Sequence, residues 1–256
     1  MIERRVLHRE VVIVMGLSLG ASAIWSLLRI VERLTREVPL SAQTSALNTS
    51  VTPDRPWLDL TYQLVGIALA VVPVALALHL LATSVPPGPP GIRSALRGLG
   101  LDSSSPWRDL GRGTLLAAAI GIPGLGLYLA ARALGVNTQV AAANLGQTWW
   151  AVPVLILSAL QNGLLEEVLV VGYLLARLEQ AGWTWRWAVA ASALLRGAYH
   201  LYQGFGGFVG NVVMGVVFAL VWRRTRRVGP LVLAHTLIDV VAFLGYAVLH
   251  GRVGWL

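Results

Sequence analysis

The strongest constraint on this chain is a series of long apolar runs. Seven are read, at about 11–30, 58–82, 113–133, 149–176, 187–203, 206–222 and 229–249. Each is near the ~20 residues an α-helix needs to cross a bilayer core. A backbone in lipid must satisfy its own polar groups, so a run of this kind is read as a helix. Composition agrees. Hydrophobic residues make up 56% of the chain and charged residues 12%, against about 25% charged in a soluble domain. The mean hydropathy is +0.68. A soluble core of 256 residues cannot hide that much apolar surface, and disordered chains have the opposite composition. The expected fold is therefore all-α, a polytopic transmembrane helical bundle of seven helices. The fourth run is too long for one straight crossing. Pro153 and the Asn162-Gly163 pair are candidate breaks in it, which would raise the count to eight.

All twenty basic residues are Arg, and the formal net charge is +8. Nucleic-acid binding would cluster them on a soluble face. Here they sit in short segments between apolar runs, so nucleic acid is set aside. With no Cys, disulfides, thiolate metal sites and cysteine nucleophiles are excluded. Thirteen arginines fall on one side of the bundle, among them Arg4, Arg5, Arg177, Arg186, Arg223 and Arg227. Six fall on the other, including Arg29 and Arg132, and Arg196 is left inside. The positive-inside bias then places the N-terminus in the cytoplasm of a multi-pass cell-membrane protein. Trp57, Trp149, Trp150, Trp183, Trp185, Trp187 and Trp222 mark run ends, where indole rings prefer the interface. Ala21-Ser22-Ala23 has the form of a signal-peptide cleavage site, but the apolar pattern continues to Leu28, so the helix is read as retained. Residues 32–57 are read as a polar outside loop. Residues 83–112 are read as an inside loop opened by Pro86–Pro90.

Ionisable groups at membrane depth cost roughly 2.5–3.5 kcal/mol each on insertion scales, so they usually have a partner or a task. Arg29 and Arg132 lie near helix ends and can snorkel, and His8, His79 and His250 lie near ends or termini. Six groups have no such escape: Glu166 and Glu167 in the fourth run, Arg196 and His200 in the fifth, His235 and Asp239 in the seventh. Arg196/His200 and His235/Asp239 are i,i+4 pairs that share a helix face. Adjacent glutamates diverge by roughly 100° on a helix, so one aims at a common centre and the other supports it. The economical arrangement turns three polar faces toward one cavity. A purely structural ion-pair network is the alternative, but small residues usually manage helix association in lipid.

A carboxylate beside an imidazole can take a proton from water, and a histidine on another helix can donate to a developing oxyanion. Those are the parts of a peptide hydrolase without a covalent intermediate. There is no His-Glu-x-x-His pair. Gly16-Leu17-Ser18-Leu19-Gly20 matches the nucleophile-elbow pattern only formally, and its glycines are read as helix-packing residues. Zinc or another divalent metal is chemically permitted, with Glu166, His200, His235 and Asp239 as ligands, although no spacing demands one.

Glu166-Glu167-Val-Leu-Val-Val-Gly172-Tyr173, Arg196-Gly-Ala-Tyr-His200-Leu-Tyr-Gln-Gly204 and His235-Thr-Leu-Ile-Asp239 resemble, in order, the three motifs of the CPBP family. This family comprises CAAX prenyl proteases and bacteriocin-processing, Abi-like membrane proteins. The resemblance spans about residues 145–250. It divides the chain into N-terminal transmembrane helices and loops at 1–144 and a CPBP-like catalytic core at 145–250. It implies an intramembrane endopeptidase acting on membrane-embedded or lipid-anchored peptides. By that resemblance Glu166 is the base, Glu167 its support, and His200 a holder of the water. His235 and Asp239 face the oxyanion, and no metal is favoured.

The chain departs from the pattern at two positions. Val171 stands where the family usually has Arg, and Arg196 where it usually has Phe. The expectation is that Arg196 supplies the missing cation within hydrogen-bond reach of Glu166 or Glu167. The last motif ends in Asp239 where the family often has Asn, so that residue is expected to act as a neutral donor or to orient an imidazole. Two rivals use the same cluster. A proton-coupled transporter would want polar, broken helices in both halves, and the first three runs are nearly free of deep charge. A non-catalytic binding or immunity protein would not need the complete residue set.

Overall fold

The computed structural model describes residues 3–83 and 91–253. The Pro86–Pro90 stretch read as opening the inside loop lies outside the described residues. Among the described residues the regular structure is all helical apart from one two-stranded pairing. Its helices are α1 (Arg4–Gly16), α2 (Leu19–Leu34), α3 (Pro56–Ala70), α4 (Val72–Thr83), α5 (Ile92–Gly98), α6 (Pro106–Ala133), α7 (Ala151–Glu166), α8 (Leu174–Gln180), α9 (Trp185–His200), α10 (Phe205–Thr225) and α11 (Gly229–Leu249). A widened helical stretch, Glu167–Tyr173, joins α7 to α8.

Among the described residues, five helical segments are long and apolar enough to cross a membrane. They are Pro56–Thr83, Pro106–Ala133, Ala151–Gln180, Phe205–Thr225 and Gly229–Leu249. The pair α1 and α2, bent by 54°, raises this to six if it forms one span. The fifth apolar run forms α9, only 16 residues long. At 1.5 Å per residue such a helix falls short of a full crossing. It is instead packed between α2 and α10.

The first run is broken where continuity was expected. Gly16 ends α1, and nothing lies within 4 Å of where its Cβ would stand. No packing contact requires it, and the bend itself falls at Leu17 and Ser18; a Cβ on Gly20, by contrast, would stand 2.7 Å from the Met15 carbonyl oxygen. The fourth run shows the reverse. Asn162-Gly163 does not break α7, which continues through Pro153 to Glu166. A Cβ on Gly163 would stand 2.7 Å from Thr236 Oγ1 and 2.9 Å from the Val232 carbonyl oxygen. That glycine exists so that α7 and α11 can cross closely. The departure comes one turn later, where the backbone widens at Glu167. Such insertions are rare and concentrate at functional sites.

Large side chains left exposed on α3, α6 and α9, such as Leu69, Leu115, Ile122 and Leu194, form the surface a lipid environment would cover. Trp57, Trp149 and Trp187 are exposed at helix ends, as interfacial rings should be. Trp150 and Trp222 are instead buried, and Trp222 stacks on Trp185 at 6.1 Å.

Three charged groups read as peripheral, or not singled out, are internal. Arg177, counted among the loop arginines, is fully buried. Its Nε donates to Glu10 Oε1 at 2.6 Å, and its Nη2 to the Leu80 carbonyl at 2.8 Å. Tyr173 donates to the same Glu10 oxygen. This ties α1 and α4 to the end of α8. Asp59, buried near the start of α3, accepts from Ser50 Oγ and the backbone amides of Val51 and Thr52. The deep acids of the N-terminal half thus fasten segments and do not line a relay.

On the arginine-rich side, residues 91–112 are not a simple loop: they hold α5 and the start of α6. Arg227, just before α11, clamps this segment through Asp109 at 2.6 Å and Asp102 at 3.0 Å. Ser104 and Arg227 hold the Asp102 carboxyl down at about 2, from an ordinary 3.8. A depressed carboxyl stabilises the fold above its ordinary value and loses that contribution as pH falls toward the shifted one. The clamp is therefore intact at any physiological pH.

The opposite side carries the strands. The 32–57 segment contains β1 (Thr44–Ala46), paired in parallel with β2 (Gln139–Ala141) in the register Thr44↔Gln139, Ser45↔Val140, Ala46↔Ala141. Ser45 Oγ bonds Thr138 Oγ1 at 2.8 Å, and Thr138 donates to the Gln203 carbonyl. Two segments distant in sequence and the turn after α9 are thereby stitched over one end of the bundle.

Candidate active site

Glu167 anchors the site. Its side chain has no exposed surface. Arg196, also fully buried, donates from Nη2 to both glutamate oxygens at 2.7 Å. His235 Nδ1 lies 2.6 Å from Glu167 Oε1. A carboxylate held by a guanidinium is acceptor-only, so Nδ1 carries the proton and donates. The predicted reach of Arg196 to the glutamates is therefore met, across helices, from α9 to the widened stretch. Gly215 of α10 makes room for it: a Cβ there would stand 3.3 Å from Arg196 Cδ and 3.0 Å from Ala193 Cα, so α10 lies hard against α9. The Arg196 guanidinium rests over the Phe218 ring at 5.5 Å.

Glu166 lies beside this sealed pair and is 8% exposed. Tyr199 donates its hydroxyl proton to Glu166 Oε2 at 2.8 Å, and Arg196 Nη1 lies 3.5 Å from that oxygen. The two glutamates thus take the two roles their adjacency predicts. One is buried under a cation, and the other borders a cavity. Each oxygen of Glu166 faces a different imidazole: Oε1 lies 4.0 Å from His200 Nε2, and Oε2 lies 4.0 Å from His235 Nε2. These separations are too long for direct hydrogen bonds. They suit a shared water about 2.8 Å from each partner.

The histidine orientations are fixed from behind. His200 Nδ1 lies 3.1 Å from the Arg196 carbonyl oxygen, which can only accept. In the neutral ring, Nε2 is then the acceptor facing Glu166. His235 Nε2 lies 3.8 Å from Asp239 Oδ1, and Asn162 Nδ2 donates to Asp239 Oδ2 at 2.9 Å. All six groups singled out in the sequence converge on one centre. Asn162 and Tyr199 join them unforeseen. Their positions could have revealed them: Asn162 is four residues before Glu166, and Tyr199 is three after Arg196, each on the inward face of its helix.

The cavity measures about 500 Å3, within the range of small-ligand pockets. Its floor is Glu166, His200, His235 and Asp239. Its far wall is unexpected, because most of it comes from outside the three motifs. Ser22, Trp25, Ser26 and Arg29 of α2 and Leu47 and Asn48 line it, joined by Tyr202 and Gln203 from the end of the second motif. Ser26 Oγ accepts the Tyr202 amide proton at 2.7 Å and fixes α2 against the turn after α9. Arg29, read from sequence as snorkelling from a helix end, instead borders the cavity.

Among the described residues, ligand atoms of Glu166, Glu167 and His235 lie within 4.8 Å of one another, close enough to be tested as a cation site. This set differs from the four ligands read from sequence. It also shares Glu167 with the Arg196 guanidinium, whose positive charge opposes a divalent ion at that point.

Residues 148–241 match the family model described as type II CAAX prenyl endopeptidase Rce1-like. No curated protein and no solved structure matches the chain. The matched segment runs from just before α7 to just past Asp239 and contains all six converging groups. It excludes α2 and the 32–57 segment. Over residues 148–241 the chain is thus similar to the Rce1-like type II CAAX prenyl endopeptidases, consistent with a CPBP-type core.

Proposed function

We propose that this multi-pass membrane protein is an intramembrane endopeptidase that hydrolyses membrane-embedded or lipid-anchored peptides with a glutamate-activated water. The observation that carries this reading is Glu166 at the cavity floor, its two oxygens each 4.0 Å from the Nε2 of a different histidine. A water held between Glu166 Oε1 and His200 Nε2 gives its proton to Glu166 as its oxygen attacks the peptide carbonyl carbon. The tetrahedral intermediate collapses with cleavage of the C–N bond, and Glu166 passes the proton to the leaving amine. In its doubly protonated form His235 keeps Nδ1–H on Glu167 and offers Nε2–H to the developing oxyanion. Asp239, held by Asn162, faces the same Nε2 at 3.8 Å, too far for a direct hydrogen bond, and lines the oxyanion side of the cavity. Residues 1–144 act as scaffold and cavity wall, and 145–250 as the catalytic core.

The chemistry requires no metal, since base, water holder and oxyanion donor are all present as side chains. The test uses purified protein in liposomes with membrane-embedded peptides. Cleavage is expected to survive a chelator. Its loss with chelator and return with zinc would overturn the metal-free mechanism.

With the N-terminus cytoplasmic, and α9 with the turn after it counted together as one traverse, α11 runs outward. The cavity reaches from His235 and Asp239, in the first half and middle of α11, past Phe243 toward the stitched strands. Its mouth then opens away from the arginine-rich face. The native chain has no Cys, so single cysteines report sidedness cleanly. In intact cells, Asp54→Cys, at an exposed position, is expected to react with an impermeant maleimide, while Ser104→Cys reacts only after lysis. The opposite pattern would invert the topology.

A further inference from the structure

We propose that Arg29 is a substrate-recognition residue that binds a carboxylate carried by the peptide whose bond lies over Glu166. This inference rests on the endopeptidase reading and adds to it a specificity that the matched segment does not contain. Three observations support it.

Among the described residues, Arg29 is the single Arg lining the cavity, whose acidic and imidazole groups are two carboxylates and two histidines at the floor, beside Tyr199 and Tyr202. It forms no hydrogen bond or ion pair with any described residue, in contrast to the buried Arg177 and Arg196, whose guanidinium groups are engaged. Its position is also built: Ser22, Ser26 and Arg29 follow i, i+4, i+7 spacing, so one stripe of α2 faces the cavity. Ser26 pins that stripe through the Tyr202 amide.

Exposure orders the two ends. Glu166 is almost covered and Arg29 is exposed, so the guanidinium marks the rim and the general base the floor. A peptide entering a cavity of about 500 Å3 is short. It would meet negative and imidazole groups at the reacting bond and a positive group at the mouth. A guanidinium reads a carboxylate through paired N–H donors, which the floor cannot offer. The carboxylate is either the chain terminus or an acidic side chain near it, and both present the same chemistry to Arg29.

The experiment uses three labelled peptides of one apolar sequence: free acid, C-terminal amide, and amide with an internal Asp near the end. Binding to protein in zwitterionic nanodiscs and cleavage are both measured for wild type, Arg29→Gln and Arg29→Lys. Wild type is expected to bind the free acid about tenfold more tightly than the amide, as for a charge-assisted hydrogen bond. Arg29→Gln should erase that preference by weakening the acid alone, and Arg29→Lys should keep part of it. The change should appear in KM, with kcat at saturation nearly unaltered. If the internal Asp restores tight binding to the amide, the recognised carboxylate is a side chain; if not, it is the terminus. Equal binding of acid and amide to wild type, as expected if Arg29 serves lipid phosphates, would overturn the proposal. So would a preference that survives Arg29→Gln. An acid preference without any cleavage would instead sink the endopeptidase reading and leave the anion site standing.

Discussion

Glu166→Gln is expected to abolish peptide hydrolysis while leaving the protein folded. The amide is nearly isosteric, and its oxygen still accepts the Tyr199 hydroxyl proton now given to Glu166 Oε2. What disappears is the basic carboxylate between His200 and His235. Loss of a positioned general base costs about 10²- to 10⁴-fold in rate. The loss should fall on kcat, with peptide binding kept, because the removed interaction belongs to the transition state. The measurement is cleavage in liposomes beside a thermal melt followed by tryptophan fluorescence. Undiminished cleavage by a folded Glu166→Gln protein would remove Glu166 from the mechanism. Glu167→Gln provides the contrast. That residue faces Arg196 and His235 and not the cavity, so its replacement should lower the melting temperature as well as the rate.

The difference between the two glutamates was legible in the sequence, since adjacent helical residues cannot point the same way. So was the convergence of three helices, because deep charges without partners are too costly to scatter. Arg196 was legible through the resemblance: Val171 stands where the family usually has Arg, and a cation at membrane depth needs an anion to face. Periodicity could not show what happens between helices. Gly163 read as a breaker because an Asn-Gly pair usually marks a turn. Its role is set by Thr236 and Val232 of another helix, which no local pattern contains. Arg177 read as a loop arginine from its place between apolar runs, yet its partner Glu10 lies 167 residues earlier. The cavity wall was hidden in the same way. Ser22, Ser26 and Arg29 look like ordinary positions near a helix end until α2 is seen packed beside α9. The β1/β2 pairing joins three-residue strands that carry too little alternation to register.

The largest stability effect is expected at Arg196. Both Arg196 and Glu167 are fully buried, and the guanidinium contacts both oxygens of the carboxylate at 2.7 Å. Arg196→Met would fill much of the same volume but strand Glu167 with His235 as its remaining hydrogen-bond partner. Breaking a buried pair from one side costs about 3–5 kcal/mol, because the surviving charge is left uncompensated. Removing both charges is far milder, since a buried ion pair gains little over an apolar pair of similar volume. Arg196→Met should therefore lower the melting temperature sharply, and Glu167→Gln added to it should restore most of the loss. Arg196→Lys should fall between, because an ammonium cannot reach two oxygens of Glu167 and the edge of Glu166 in one plane. The readout is a double-mutant cycle of thermal melts in detergent, with cleavage measured in parallel. Stability losses that simply add would mean the two residues do not act as a pair. Recovery of stability without recovery of cleavage is the expected result, because the same guanidinium that neutralises Glu167 also borders Glu166 at 3.5 Å. The stabilising cation of this fold would then also set the electrostatic ground on which its general base works.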